Sequence, residues 1–367
     1  MPDYRYIVAD AATGEVLHWN LPLSEVEFGP EKSGPGSFHG TLSPTFARSF
    51  SDMLDGGNTV LLAERNAQLA WGGVIWRAEP EGSKLPVEAS GFTSYLHRRF
   101  DLHGNLDGRG PYIEADPCQV IRDVWAYAQD QPDGDLHVVV DDTKSKAKTG
   151  TAKDPYTSSK TDPRNLGEMV DEMADVDDGL EWTEAVTWHG NRAERRIVLG
   201  APRLGRLRED LTFTTGANVT GEPHVIMDAD EYAQWVIGLG AGEGKKRKVV
   251  VDGVRNGRLR LEHQLETSEK DEAKLKQRTR RERLARQVLP TLTELEIVDH
   301  PAARIDTLRV GDDVRIRLHE PHTEYDGWNR IVGWTVRPGD GETPERVTLK
   351  LERTVKPEEG EDGAEEK

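Results

Sequence analysis

The chain has 367 residues and sets 48 basic side chains against 66 acidic ones, a formal charge of −18. Nine Trp, eight Tyr and seven Phe need burial and exclude wholesale disorder. The acidic balance argues against a dedicated nucleic-acid binder, and no apolar run approaches the ~20 residues that span a bilayer.

The first hundred residues read as β structure. Strand-like runs at 4–9 and 15–20 flank Asp10 to Gly14, a turn whose glycine can take positive φ. Residues 29–36 read as a glycine and proline loop, and Ser43-Pro44 opens a short helix with Phe46, Ala47, Phe50, Met53 and Leu54 at helical spacing. Strands are expected at 59–64 and 69–77, joined by a tight turn around Asn66, and again at 87–92.

The middle of the chain announces helices. Asp116-Pro117 supplies an N-cap and a proline at the first helical position, followed by Val120, Ile121, Val124, Trp125 and Ala128 on one face. Asp162-Pro163 repeats the device before Leu166, Met169, Val170, Met173 and Ala174. Between them lie a strand at 136–140 and a low-complexity segment, 143–161, expected to be mobile because it holds five Lys and no large aliphatic residue. Strands at 180–188 and 195–199 complete a small α/β unit.

From about Thr212 β structure returns, with runs at 225–227, 232–239, 248–251, 308–318, 329–336 and 346–351. One helix, about 268–289, interrupts it: Ser268 to Asp271 resembles a capping box, Leu275, Leu284, Val288 and Leu289 give a sparse stripe, and Pro290 stops it. Residues 357–367 carry six acids and one base and are expected to form a solvated tail. The fold class is mainly β with α+β elements. The expected division is a β domain over 1–112, a small α/β domain over 113–211, a second β domain over 212–356, and the tail.

No motif for chemistry is complete. The glycines from Gly238 to Gly244 precede Lys245-Lys246, but a phosphate loop would need glycine where Leu239 stands and a hydroxyl residue where Lys246 stands. A strand-to-strand connection is the better reading. Asp171, Glu172, Asp175, Asp177 and Asp178 are dense, yet a calcium loop begun at Asp175 has Gly179 at its fifth position and Val186 at its twelfth. His319 and His322 bracket Pro321, so they are not presented on a helix as zinc ligands. Thr157-Ser158-Ser159-Lys160 has threonine where a serine nucleophile would stand, and the run from Lys245 to Lys248 reads as a solvated edge. Cys118 is the sole cysteine, which excludes an intrachain disulfide and any zinc site of paired thiolates; it is expected to be reduced and buried. No catalytic residue, cofactor site or metal site is nominated.

Several stretches together resemble the tail-tip or baseplate hub proteins of long-tailed bacteriophages, also known as minor tail proteins. They are Trp71 to Trp76, Ala89 to Leu96 with Arg98-Arg99, Asp116 to Arg122, Gly216 to Val219, the Gly238 to Gly244 loop, the charged helix near 280, and Val310 to Arg317 followed by Arg330 to Trp334. The resemblance implies two β-barrel-like domains flanking the α/β domain. It also implies a homotrimer whose six barrels close the tail tube, with the distal tail protein, the tape-measure protein and receptor-binding or fibre proteins as partners. The location implied is the virion, after synthesis in the host cytoplasm. The C-terminal peptidoglycan hydrolase of some members is not expected, nor are membrane insertion, sequence-specific nucleic-acid binding or an export signal. Two other classes fit a β-rich chain with scattered Trp: a carbohydrate-binding adhesion protein, and a hydrolase of unrecognised type.

Overall fold

A computed structural model describes residues 2–43, 53–82, 84–176, 179–226, 229–267, 269–287, 291–321, 323–339 and 343–354. The helix expected after Ser43 falls, but for Met53 and Leu54, outside these residues, as does the acidic tail. The chain divides into two compact units. The first comprises Met1–Gly205, Leu308–Gly311 and Val332–Thr348, and the second Arg206–Thr307, Asp312–Ile331 and Leu349–Lys367. The fold is mainly β, with α+β elements.

In the first unit the strands are β1 (Tyr4–Asp10), β2 (Val16–His18), β3 (Leu23–Glu31), β4 (Gly34–Leu42), β5 (Thr59–Arg65), β6 (Gln68–Ala78), β7 (Leu85–Ser90), β8 (Val138–Val140), β9 (Glu181–His189) and β10 (Arg192–Gly200). The first seven pair in the order β3-β4-β7-β6-β5-β1-β2. Both turns read from the sequence form as expected: Gly14 has φ +69°, and Asn66 and Ala67 take φ 51° and 63° between β5 and β6. The loop expected over 29–36 is instead the facing ends of β3 and β4, and only Lys32 and Ser33 turn. Gly29 is there because a Cβ would come within 1.7 Å of the Trp334 carbonyl of the adjoining strand. Glycine in this stretch marks close backbone approach.

Strand β5 is buried along its whole length, and the two-residue period sorts its side chains between two cores. Ile7, Ala9, Val60 and Leu62 point into a core shared with two helices, α1 (Pro117–Asp130) and α2 (Leu166–Ala174), and with Trp182 and Ile197 of the three-stranded sheet β8-β10-β9. On the other face Phe38 lies 5.9 Å from Tyr6, 6.0 Å from Phe28 and 5.6 Å from Trp71. Tyr4 of β1 also reaches Phe28 of β3 at 6.2 Å, although five strand positions separate them, so the sheet curls over its aromatic face. Arg65 and Tyr4 grip Glu345 across the gap. The curl is barrel-like, but the described residues form no ladder that closes it.

Helix α1 starts where the sequence placed it: Asp116 Oδ1 accepts from Cys118 N at 2.9 Å. Helix α2 does not. Its N-cap is Asn165, whose Oδ1 accepts from Gly167 and Glu168 N, and Asp162 instead bridges back to Ser159 in the preceding turn. Asn165 competed with Asp-Pro for the role, and its side-chain amide also donates to the His97 carbonyl. The segment 143–161 alternates outward lysines with inward anchors. Ser145 donates to the Gly179 carbonyl, Thr149 bridges Ala115, and Tyr156 bridges Tyr112.

The second unit contains β11 (Leu207–Thr214), β12 (Val225–Ile226), β13 (Trp235–Leu239), β14 (Val249–Gly253), β15 (Glu262–Glu266), α3 (Glu272–Arg286), β16 (Thr291–Leu292), β17 (Glu294–Ile297), β18 (Asp313–Glu320), β19 (Thr323–Arg337) and β20 (Arg346–Arg353). The last residues of β19 and the first of β20 belong to the first unit, where Gly333 and Val336 pair with β3. Strand β11 runs parallel to β18, which is antiparallel to β19. Strand β20 pairs with both β19 and β17. Arg208 is fixed by Asp210 at 2.8 and 2.7 Å and by Asp312 at 3.0 Å. The run expected from 308 starts as a strand only at Asp313. Helix α3 is capped by Asp271, which accepts from Lys274 N, so the helix opens at the last residue of the expected capping box; Ser268 lies outside the described residues. Leu275 and Thr279 are buried against a separate three-stranded sheet, β14-β13-β15.

Candidate interaction surfaces

The motifs singled out in the sequence resolve into structural parts. Gly238 and Gly240 are tight-packing positions: a Cβ on Gly238 would come 2.0 Å from Thr279 Oγ1 of α3, and one on Gly240 would come 2.6 Å from the Glu269 carbonyl. Gly238 therefore lies within β13, and the connection proper starts after Leu239. Gly242 and Gly244 turn the chain at φ +115° and +55°, and Lys245 and Lys246 follow, exposed, in a short 3-10 turn. No helix follows to present amide groups to a phosphate.

The acids of α2 are engaged by neighbours. Glu172 accepts from Tyr156 at 2.6 Å and pairs with Arg164, while Asp171 faces His97 at 3.6 Å. Burial pushes the Asp171 carboxyl up. Asp177, Asp178 and His322 lie outside the described residues. His319 stands near the end of β18, where its backbone N donates to Thr215 Oγ1. Among the described residues no three side chains of metal-binding type converge. Thr157 donates to Asn105 Oδ1 at 2.6 Å and Ser158 to the buried Asp101, so these hydroxyls hold a loop. Cys118 is fully buried, and desolvation followed by the nearby Asp116 raises its thiol to about 12.

One internal site shows strong perturbation. Glu184 of β9 accepts from Phe92 N at 2.6 Å and from Thr93 N at 2.8 Å, capping the 3-10 helix Phe92–Arg98. Desolvation lifts its carboxyl to about 7 against the pull of those amides. The adjoining cavity, lined by Pro30, Trp71 and Gly72 among others, holds only about 30 Å³, room for a single water. This geometry ties β9 to the 3-10 helix and leaves no space for a substrate.

Binding surfaces are easier to find than pockets. Trp19 is half exposed at the end of β2 and lies 6.1 Å from Trp188, whose Nε1 donates to Glu64 at 2.8 Å. In the second unit the sheet β14-β13-β15 covers α3 with one face, and on the other an apolar patch of β13 and β14 adjoins the exposed Glu262, Gln264 and Glu266 of β15. Val236 and Gly238 turn toward α3, while the register sets Trp235, Ile237 and Leu239 beside Val249 and Val251 on the opposite face. Val249 and Val251 are more than half exposed there. Neither surface is marked by a motif in the sequence. The alternation of β14 was a visible signal, but its register with β13 depends on pairing.

No protein-family model matches the chain, and no curated protein matches it in sequence. Solved structures do. A tail protein from Neisseria meningitidis aligns with a TM-score of 0.55 at 14% identity over 95% of this chain and 97% of that one. A 43 kDa tail protein of prophage MuSo2 from Shewanella oneidensis gives 0.53 at 9% identity over 96% and 98%. A prophage tail protein from Listeria monocytogenes gives 0.56 at 13% identity over 94% of each chain. The chain has the fold of phage tail proteins. That correspondence runs nearly end to end in both directions.

Proposed function

We propose that this chain is a structural phage tail protein: a baseplate hub, or minor tail protein, of the tail tip. In this reading it forms a homotrimeric ring that closes the tail tube, resides in the virion and acts by binding, without turnover. Its partners are the distal tail, tape-measure and receptor-binding or fibre proteins. The observation that carries the reading is the end-to-end match to three proteins each described as a tail protein. The curled sheet of the first unit and the uncovered sheet face of the second add support, because exposed strands and apolar faces are most safely used where other subunits cover them.

Each copy carries −18, so copies repel at long range and ring formation improves as salt screens that term. Gel filtration with light scattering at low and moderate salt, followed by negative-stain imaging, is expected to give ring-shaped trimers. A strict monomer at high concentration that also fails to bind a distal tail protein would end the proposal. A carbohydrate-binding role draws on one observation, the half-exposed Trp19 beside Trp188. Glycan-array binding lost in Trp19→Ala would favour it.

A further inference from the structure

Helix α3 carries a charge opposite to that of the chain around it. From Glu272 to Arg286 it sets seven basic side chains against two acidic ones, +5 in a chain whose total is −18. Leu275 and Thr279 are its only buried residues, so the helix is polar around most of its circumference. Arg283 meets Asp252 of β14 at 2.7 Å, and Arg286 meets Glu231 at 2.9 Å and Glu282 at 2.6 Å. Lys274, Lys276 and Arg281 stand outside those pairs and are exposed. Lys274 and Arg278, like Lys276 and Arg280, are cations one helical turn apart, a spacing that destabilises a helix and that an overlying anion relieves.

The chain encodes such an anion. Residues 357–367, beyond the described ones, hold six acids and one base, a charge of −5. They follow β20, where Leu351 donates its backbone N to the carbonyl of Thr293, seven residues past the end of α3. Seven residues span at most about 25 Å, whereas the thirteen from Arg353 to Glu366 reach up to about 45 Å. The helix is only about 22 Å long, so the acidic segment can lie over it. We propose that residues 357–367 dock along the outward cationic face of α3 in the same chain and shield it from other polyanions. Charge and tethering select this occupant. A contact of −5 with +5 quenches the like-charge pairs of the helix, and a short linker holds the segment at an effective concentration of about millimolar. A second copy must approach against the repulsion of two −18 chains, and a free polyanion must displace the tethered segment.

The test is hydrogen exchange on peptides covering α3, in the full-length chain and in a chain of equal length whose six acids from Glu358 to Glu366 are replaced by their amides. At low salt the amides of α3 are expected to exchange at least about threefold faster in the neutralised chain, and the difference should vanish near about 0.5 M salt. Peptides covering α1 should exchange alike in both, which shows that the fold is kept. Carbodiimide treatment of the parent should join Lys274 or Lys276 to a glutamate of 357–367 within one chain. Immobilised heparin should retain the neutralised chain more strongly than the parent, and Lys274→Glu with Arg281→Glu should cancel that gain. Equal exchange of α3 at low salt overturns the proposal, as does equal retention on heparin. Cross-links found only between chains assign the helix face to a second copy and overturn it too. The inference does not depend on the hub reading, since ring formation is scored by mass and docking of the segment by exchange and cross-linking.

Discussion

Removing Glu345 tests how the curled sheet is held. Arg65 Nε and Nη2 each donate to Glu345 at 2.8 Å in a two-pronged pair whose side chains are 8% and 5% exposed, and Tyr4 donates its hydroxyl to the same carboxylate. Burial, then Glu345 itself, pushes the Tyr4 phenol up, so it remains a donor. Glu345→Ala would remove two charge-assisted hydrogen bonds and a carboxylate from the buried Arg65 guanidinium, a loss of about 3–5 kcal/mol, with about 1 kcal/mol more for the Tyr4 phenol that loses its acceptor. Replacing both partners by apolar residues, Arg65→Met with Glu345→Leu, should recover most of that loss, because both members of the buried ion pair are then removed together. A chain of two units need not unfold in one transition, so the assay is native-state hydrogen exchange read on peptides covering β1 and β5. If Glu345→Ala costs less than about 1 kcal/mol there, or the double variant is as damaged as the single one, the clamp does not bind the edges of the sheet.

Three other outcomes follow from the site geometry. Glu184 has its folded value raised from 4.5 to about 7, so the folded chain binds the extra proton and stability falls as pH rises from about 4.5 to about 7. Glu184→Gln, whose amide oxygen can still accept from Phe92 and Thr93, should flatten that slope in thermal melts and be more stable than the parent at pH 8. Cys118 should react with a thiol reagent only after unfolding, and Cys118→Ser should fold with a loss of about 1–2 kcal/mol; rapid labelling of the native chain would contradict its burial. Limited trypsinolysis within 143–161 should begin after Lys153, in the exposed turn from Thr151 to Asp154, because Ser145, Thr149 and Ser158 anchor the backbone on either side. First cuts within α2 would show that this helix is poorly held.

The sequence by itself determined the elements whose signals are local. Asp116-Pro117 specified the start of α1, because an N-cap acts on amides two and three residues away. The spacing of Leu166, Met169, Val170 and Met173 specified the buried face of α2, and the turns at Gly14 and Asn66 specified two hairpins. The resemblance to phage hub proteins, carried by short motifs in order, agreed with the fold found. Tertiary structure decided everything that required a distant partner. Gly29 and its neighbours on either side of the Lys32-Ser33 turn became strand because Trp334 lies across Gly29, and no residue near Gly29 in sequence carries that information. Asn165 displaced Asp162 as a cap because its amide also reaches the His97 carbonyl. The glycine at 238 is set by the approach of α3 and that at 240 by the Glu269 carbonyl ahead of it, and the clamp at Glu345 joins residues 280 positions apart. The uncovered face of β14 emerged last, because alternation shows that a strand has two faces, while only its register with β13 and the position of α3 decide which of them meets water.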